Sequence, residues 1–477
     1  MSSPRRAHAP ATLLLLFGLT LPVALTGCAP GADANDARAA DDGAPAATQA
    51  VTAFVDVHVV PMDRDTVLEG HTVIVQDGRI TAVGPVDRTP PPAGATVVEG
   101  AGRYLMPGLA EMHGHVPGPD DPDYVENVLF LYVSRGVTTV RGMAGDPSHL
   151  ELRDRIARGE LLGPTLHAAG PGFSGNNVPD PAAAERRVRE QHAAGYDLLK
   201  VFGISAEAYA RMAATAHELG IPFAGHVPAS VGLAGALEHR QASIDHLDRY
   251  VEFLVDEAAP DGDTGFFGSA LIDRADPARI PEAVARTREA GVWNVPTLSL
   301  VEHLASPEAP EAMARRPEMR YMPPRVVEDW VRAKHQFRDR PDFQPPAARR
   351  LVEIRRQLTR ALHDAGAPIA LGSDAPQFFN VPGFSVHPEM EMMVAAGLTP
   401  YEVLVTGTRN PAVHFGTPSE FGTVAVGRRA DLVLLDANPL EDITHAGRIA
   451  GVMVRGRWLP GEEIEERLEA LAQQVAR

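Results

Sequence analysis

Six side chains able to coordinate a divalent cation recur along the chain, each closing a short apolar run. His113 and His115 follow LMPGLAEM. In an extended strand, residues i and i+2 point to the same side, so the two imidazoles form a clamp, and Gly114 between them has no side chain to crowd it. Lys200 stands inside LLKVF, where a charged ammonium is costly to bury. Either it pairs with an acid at the strand end or it is neutral, and a neutral amine can take up carbon dioxide to give a carbamate that bridges two cations. His226 closes PFAGHV and His246 closes ASIDHL. Each, taken alone, is better read as a satisfied core histidine. Asp374, in PIALGSDAP, needs a cation or several donors, or else caps the helix that follows. A lone His-x-His is a weak signal. Six coordinating groups at the ends of five strands are a pattern, and strand ends are where barrel enzymes keep their active sites.

The elements that must position these groups are legible as a rhythm. Candidate strands end near His113, Arg141, Ala168, Lys200, His226, His246, Pro296 and Asp374, at spacings of 20 to 32 residues, then 50 and 78. Helical stretches lie between them, which predicts βα units and a parallel sheet. The short spacings approach the ~31 residues per unit of an eight-fold barrel. The long ones leave room for helical insertions near 252–280 and 301–350. The fold expected is α/β: a (β/α)8 TIM barrel over 105–415, with a small composite β-sandwich domain built from residues 51–104 and 416–460, and a C-terminal helix over 461–477. Both flanks alternate apolar and polar residues, and Asp77-Gly78 reads as a hairpin turn.

Composition narrows the classes further. The 477 residues carry 44 Lys plus Arg against 62 Asp plus Glu, a formal charge of -18, which argues against a nucleic-acid partner. Hydrophobic residues make up 44% and charged residues 22%, the balance of a well-cored globular chain. The single cysteine, Cys28, excludes an intramolecular disulfide and any cysteine-based zinc site in the body. Arg5 and Arg6 precede an apolar run too short to span a bilayer comfortably, followed by small residues, the pattern of a secretory signal over 1–27. Leu25-Thr26-Gly27-Cys28 resembles the lipobox of bacterial lipoproteins, in which the cysteine is acylated. Residues 28–50, rich in Ala, Asp and Gly, read as a flexible tether. The expectation is an exported protein, lipid-anchored in the bacterial cell envelope.

In this order along a barrel, His-x-His, Lys, His, His and Asp resemble the amidohydrolase superfamily. MPGLAEMHGH is similar to the family's first-strand motif, and GRRADLVLLDANPLEDI to its return into the small β domain. TTVRGMAGD, GPTLHAAGPG and LTPYEVLVTGTRNPAVHFG resemble the branch of imidazolonepropionases and metal-dependent Xaa-Pro dipeptidases. The resemblance spans about residues 51–460. It implies two divalent metal ions, most often zinc: His113, His115 and Asp374 on one, His226 and His246 on the other, with a carbamate on Lys200 between them. It also implies that a bridging hydroxide attacks an amide or peptide carbonyl while Asp374 serves as general base and then general acid. The substrate implied is a small molecule of the dipeptide or N-acyl amino acid type. Two positions depart from the pattern: Asp245 stands where Glu is common, and Gly142 where Asp is common.

Other readings stay open at this point. One metal with a structural Lys200 would make a cyclic-amide hydrolase or deaminase like imidazolonepropionase, distinguishable by metal count. Lactone or phosphotriester hydrolysis is open because hydroxide does not dictate its electrophile. A catalytically inert metal- or ligand-binding surface lipoprotein would be inert against a broad amide and ester panel. Arg141, Arg249 and Tyr250 are candidates to bind a substrate carboxylate, and His303, His335, His387 and Glu389 fall near the catalytic face. For each, an ordinary structural role is the stronger expectation. Sequence leaves a homo-oligomer open.

Overall fold

The computed structural model describes residues 51–255 and 264–476. The export segment, Cys28, the tether and part of the first insertion lie outside the described residues.

Strands from both flanks share one sheet. Leu432–Leu435 lies antiparallel to Tyr104–Pro107 in the register Leu432↔Pro107, and Tyr104–Pro107 runs parallel to Val51–Val59. The full order runs from Arg457–Pro460 through Ile449–Val454, Leu432–Leu435, Tyr104–Pro107, Val51–Val59 and Leu68–Gln76 to Arg79–Pro85, with Thr96–Glu99 also on Val51–Val59. Asp77 and Gly78 turn the hairpin at φ 52° and 73°, the left-handed pair a two-residue turn demands. Phe54 and Trp458 sit four strands apart in this order, roughly 19 Å in a flat sheet at ~4.8 Å per strand. Their ring centroids are 5.0 Å apart. The sheet therefore curls over itself, and Phe54, Val73, Ile80, Leu105, Leu432 and Met453 fill the sandwich between its faces.

The middle of the chain closes into a barrel. Leu109–Gly114, Val137–Gly142 and Thr165–Ala168 pair in parallel. An isolated bridge, Ala169↔Leu198, joins them to Leu199–Gly203, Phe223–Gly225, Ser243–Asp245 and Trp293–Val295. The eighth position is the segment 369–374. It bridges Asn294 through Ile369, and it closes on the first strand through Met112 N–H to Leu371 O at 2.8 Å and Asp374 N–H to His113 O at 3.0 Å. Helices between the strands start and stop on local signals. Asp180 caps Pro181–Ala194 by accepting from Ala183 N, and Gly195, left-handed at φ 85°, ends it. The two long strand-to-strand intervals hold extra helices, among them Pro324–Asp339 and Pro345–Asp364. The latter buries Leu351, Ile354, Leu358 and Leu362, one face at helical spacing.

Candidate metal centre

The barrel lumen is polar, and its side chains form one chain of contacts leading up to the strand ends. Arg141 crosses the lumen, wholly buried: its Nη2 donates to both oxygens of Asp245 at 3.1 Å, Nη1 to Ser243 Oγ at 2.9 Å, and Nε to Met112 O at 2.6 Å. Burial works against ionisation of Asp245, but the Arg141 guanidinium beside it holds its carboxyl below the usual range. That carboxylate accepts from His113 Nδ1 at 2.7 Å. With its proton on Nδ1, His113 presents a bare Nε2. His226 is set the same way, its Nδ1 donating to Asp248 Oδ2 at 2.9 Å. His246 Nδ1 lies 2.9 Å from Thr297 Oγ1. Below the clamp, Glu111 accepts from His113 N (2.9 Å), Ser373 N (2.9 Å) and Ser373 Oγ (2.5 Å), so one buried carboxyl ties the first strand to the Asp374 segment. Burial pushes Glu111 up to about 8.

All six candidate ligands meet at the C-terminal mouth of this lumen. His113, His246 and Asp374 offer ligand atoms within 4.8 Å of one another. His115 Nε2 is 3.0 Å from Asp374 Oδ1, the rings of His226 and His246 are 4.7 Å apart, and Lys200 Nζ lies 3.2 Å from His113 Nε2. Burial depresses the His113 and His246 imidazoles well below their ordinary value, and the Lys200 ammonium and the neighbouring imidazoles push the same way. Burial also brings Lys200 down to about 8. His246 and Asp374 hold left-handed backbone at φ 61° and 64°, a strain that persists only where surroundings enforce it.

The donors fit a divalent cation. Asp374 Oδ1 is buried and lies 3.0 and 3.6 Å from two imidazole Nε2 atoms, yet it makes no hydrogen bond. A buried carboxylate oxygen held this close to imidazole nitrogens with no hydrogen bond of its own is an arrangement that a cation would complete. Neutral imidazoles plus carboxylate are the donor set of zinc and similar metals.

The residues that sequence offered as substrate-binding candidates take the ordinary structural roles that were the stronger expectation. Arg141 has its donors committed inside the barrel and cannot serve as a substrate anchor. Tyr250 is fully buried, its Oη bonded to Thr287 Oγ1 and Asn294 Oδ1 at 2.8 Å each. Arg249 is half-buried and already engaged by Glu252 at 2.6 Å and Val227 O at 2.9 Å. His303 is buried, and its Nε2 accepts from Arg316 at 3.1 Å. Glu389 accepts from the backbone N–H groups of Leu298 and Ser299 at a helix start, and His387 and His335 bond to Arg135 O and Glu311. Asp248, Thr297 and Glu111 hold the candidate ligands His226, His246 and His113 in place, and sequence reasoning missed all three. Asp248, two residues after His246, carried the one available signal. Asp248→Ala is expected to weaken metal binding about 10- to 100-fold, measured by competition with a chromophoric chelator.

Barrel, sandwich and donor cluster define a metal-dependent hydrolase. Residues 104–459 match the amidohydrolase family, and the chain belongs to it; it is a hydrolase acting on carbon–nitrogen bonds. It is 28% identical over 426 residues to the imidazolonepropionase of Rubrobacter xylanophilus, covering 82% of this chain and 91% of that one. Among solved structures it resembles a bottromycin amidohydrolase (TM-score 0.66, 23% identity, 89% of this chain and 90% of that one). It also resembles a Xaa-Pro dipeptidase with bound methionine (TM-score 0.64, 19% identity, 86% and 100%). At these identities the structural likeness shows the fold.

Proposed function

We propose that the chain hydrolyses the amide bond of a dipeptide or N-acyl amino acid, using two divalent metal ions held by His113, His115, Lys200 as its carbamate, His226, His246 and Asp374. The observation that carries this reading is the convergence of four imidazoles, a buried lysine and an unpartnered buried carboxylate oxygen at one barrel mouth. Divalent cations supply Lewis acidity there and lower the pKa of water. Asp374 takes a proton at Oδ1 or Oδ2 and returns it to the leaving amine, a general base and then a general acid. Asp245, Asp248 and Thr297 fix the imidazole orientations, which spares reorganisation during the reaction. Zinc-reconstituted protein is tested against a library of dipeptides and N-acyl amino acids, scored for released amine. Release supports the reading, and silence across the library with metal bound removes it.

A second reading, one metal and imidazolonepropionase-like opening of a cyclic amide, is favoured by the tight His113, His246 and Asp374 group and by the sequence likeness. It predicts one metal per chain.

We also propose that the enzyme is exported and held in the cell envelope through lipid on Cys28, a reading supported by the lipobox-like LTGC at the end of the apolar run. A palmitate analogue fed to expressing cells should label the wild type and not Cys28→Ser. Unlabelled, freely released protein would remove the anchor.

A further inference from the structure

We infer that Phe202 and Phe267 are the specificity wall of this site, selecting amides that carry an aromatic or bulky apolar group beside the scissile bond; the inference rests on the amidohydrolase reading above. Two ligand imidazoles and these two phenyl rings form a stack of four. Phe202 lies 5.7 Å from His226, His226 4.7 Å from His246, and His246 5.3 Å from Phe267, with interplanar angles of 28°, 27° and 24°. An aromatic ring therefore stands at each end of the imidazole pair. Phe202 is 44% exposed, the one aromatic among the exposed large hydrophobics of the described residues, and lies two residues past Lys200 in the same strand. Phe267 is half-buried.

The wall is built, not incidental. Phe267 holds a left-handed backbone (φ 51°, ψ 40°), costly for a residue with a bulky side chain, and is followed by Gly268 at φ 83°. The loop that carries it is pinned. A Cβ on Gly268 would lie 2.6 Å from Val251 Cβ. Ser269 Oγ donates to Asp342 Oδ2 at 2.6 Å, and Arg340 donates to the same oxygen at 2.8 Å, so the two insertions are tied together. Phe266 backs Phe267 at 4.1 Å and meets Phe337 at 4.6 Å, which in turn meets Phe378 at 5.7 Å, four residues beyond Asp374. The guanidinium of Arg355 lies 5.3 Å from the Phe267 ring and bonds to the carbonyl of His246, so one residue holds both the ligand's backbone and the ring. Of the arginines beside the wall, Arg249 is engaged by Glu252 and Arg355 by the carbonyls of His246 and Pro296, which leaves apolar contact as the main recognition these residues offer.

The test uses the zinc-reconstituted full chain and four N-acyl amino acids: N-acetyl-phenylalanine, N-benzoyl-alanine, N-acetyl-alanine and N-acetyl-aspartate. The wild type should prefer one of the aromatic pair over N-acetyl-alanine by about 10- to 100-fold in kcat/KM, the range expected for apolar pocket contacts. Phe202→Ala and Phe267→Ala should each cut that ratio about tenfold, mainly through KM, with Phe267→Leu intermediate. Calorimetric binding of the same four compounds to metal-free protein gives a second readout, in which the aromatic compounds should bind more tightly and lose that advantage in both variants. If Phe267→Ala fails to fold, the exposed Phe202→Ala decides. Preference for alanine or aspartate, or ratios unchanged in the folded variants, would overturn the inference. If no amide is cleaved, the hydrolytic reading falls, and the binding preference alone judges the wall.

Discussion

Asp374→Asn is expected to lower kcat/KM by about 10²- to 10⁴-fold, the scale of a lost general acid–base group, while most of the metal stays bound. The amide retains an oxygen where the carboxylate had one, so coordination by the four imidazoles is little disturbed. What it lacks is a basic oxygen able to take a proton. Asp374 is the one carboxylate among the six candidate ligands, and its Oδ1 makes no hydrogen bond. Its backbone is fixed by the bond to His113 O at 3.0 Å and by the Glu111–Ser373 contacts one residue earlier, so the substitution leaves the framework in place. The measurement pairs steady-state kinetics with metal analysis of the same sample. Full activity in the variant would refute the role assigned to Asp374, and loss of metal together with activity would reassign it to coordination alone.

Lys200→Ala is expected to lose one of the two metals and nearly all activity, with partial recovery in millimolar acetate or propionate. The structure explains why this lysine differs from an ordinary strand-end cation. Its Nζ hydrogen bond runs to an imidazole nitrogen at 3.2 Å instead of a carboxylate, and burial brings it down to about 8. A minority of chains, far larger than for an ordinary lysine, therefore carries the neutral amine near neutral pH, and only that form attacks carbon dioxide. Removing the side chain opens space beside Gly225, whose absent Cβ would otherwise meet Lys200 Cδ at 2.7 Å. A short carboxylate can enter that space and supply two oxygens. Metal content and kinetics measured with and without acetate check the claim. An alanine variant that keeps both metals and its activity would make Lys200 a structural residue and favour the one-metal reading.

The barrel was legible because its information is local. Each strand is a short apolar run closed by a residue whose chemistry does not suit an apolar core, and seven of the eight runs appear as strands ending within three residues of the expected positions. The eighth, leading to Asp374, is recognised by its bonds to Asn294 and Met112 more than by regular pairing. The convergence of the six candidate ligands was legible for the same reason, with i, i+2 spacing in one strand and one polar residue at each of four others. What stayed hidden depends on the return path of loops and on contacts across the lumen. Nothing near Arg141 in sequence announces that it reaches Asp245 from a strand 104 residues away. Asp245, a departure from the family pattern, does its work on His113, 132 residues distant. Phe267 sits in an insertion whose composition resembles any loop, and its place over His246 follows from the Asp342 tie to a second insertion. Arg249 and Tyr250 were offered as substrate contacts because they follow a candidate ligand, but the backbone turns left-handed at His246, Leu247 and Arg249 and carries the chain into the wall of the barrel, which gives both the structural roles that were the stronger expectation.

The most direct test is a titration of metal-free protein with zinc, following bound metal per chain in the wild type and in the double variant His226→Ala, His246→Ala. The account predicts two zinc ions per wild-type chain and at most one in the variant. Equal stoichiometry in the two proteins would contradict it, since the metal would then be held by residues other than those gathered at the barrel mouth.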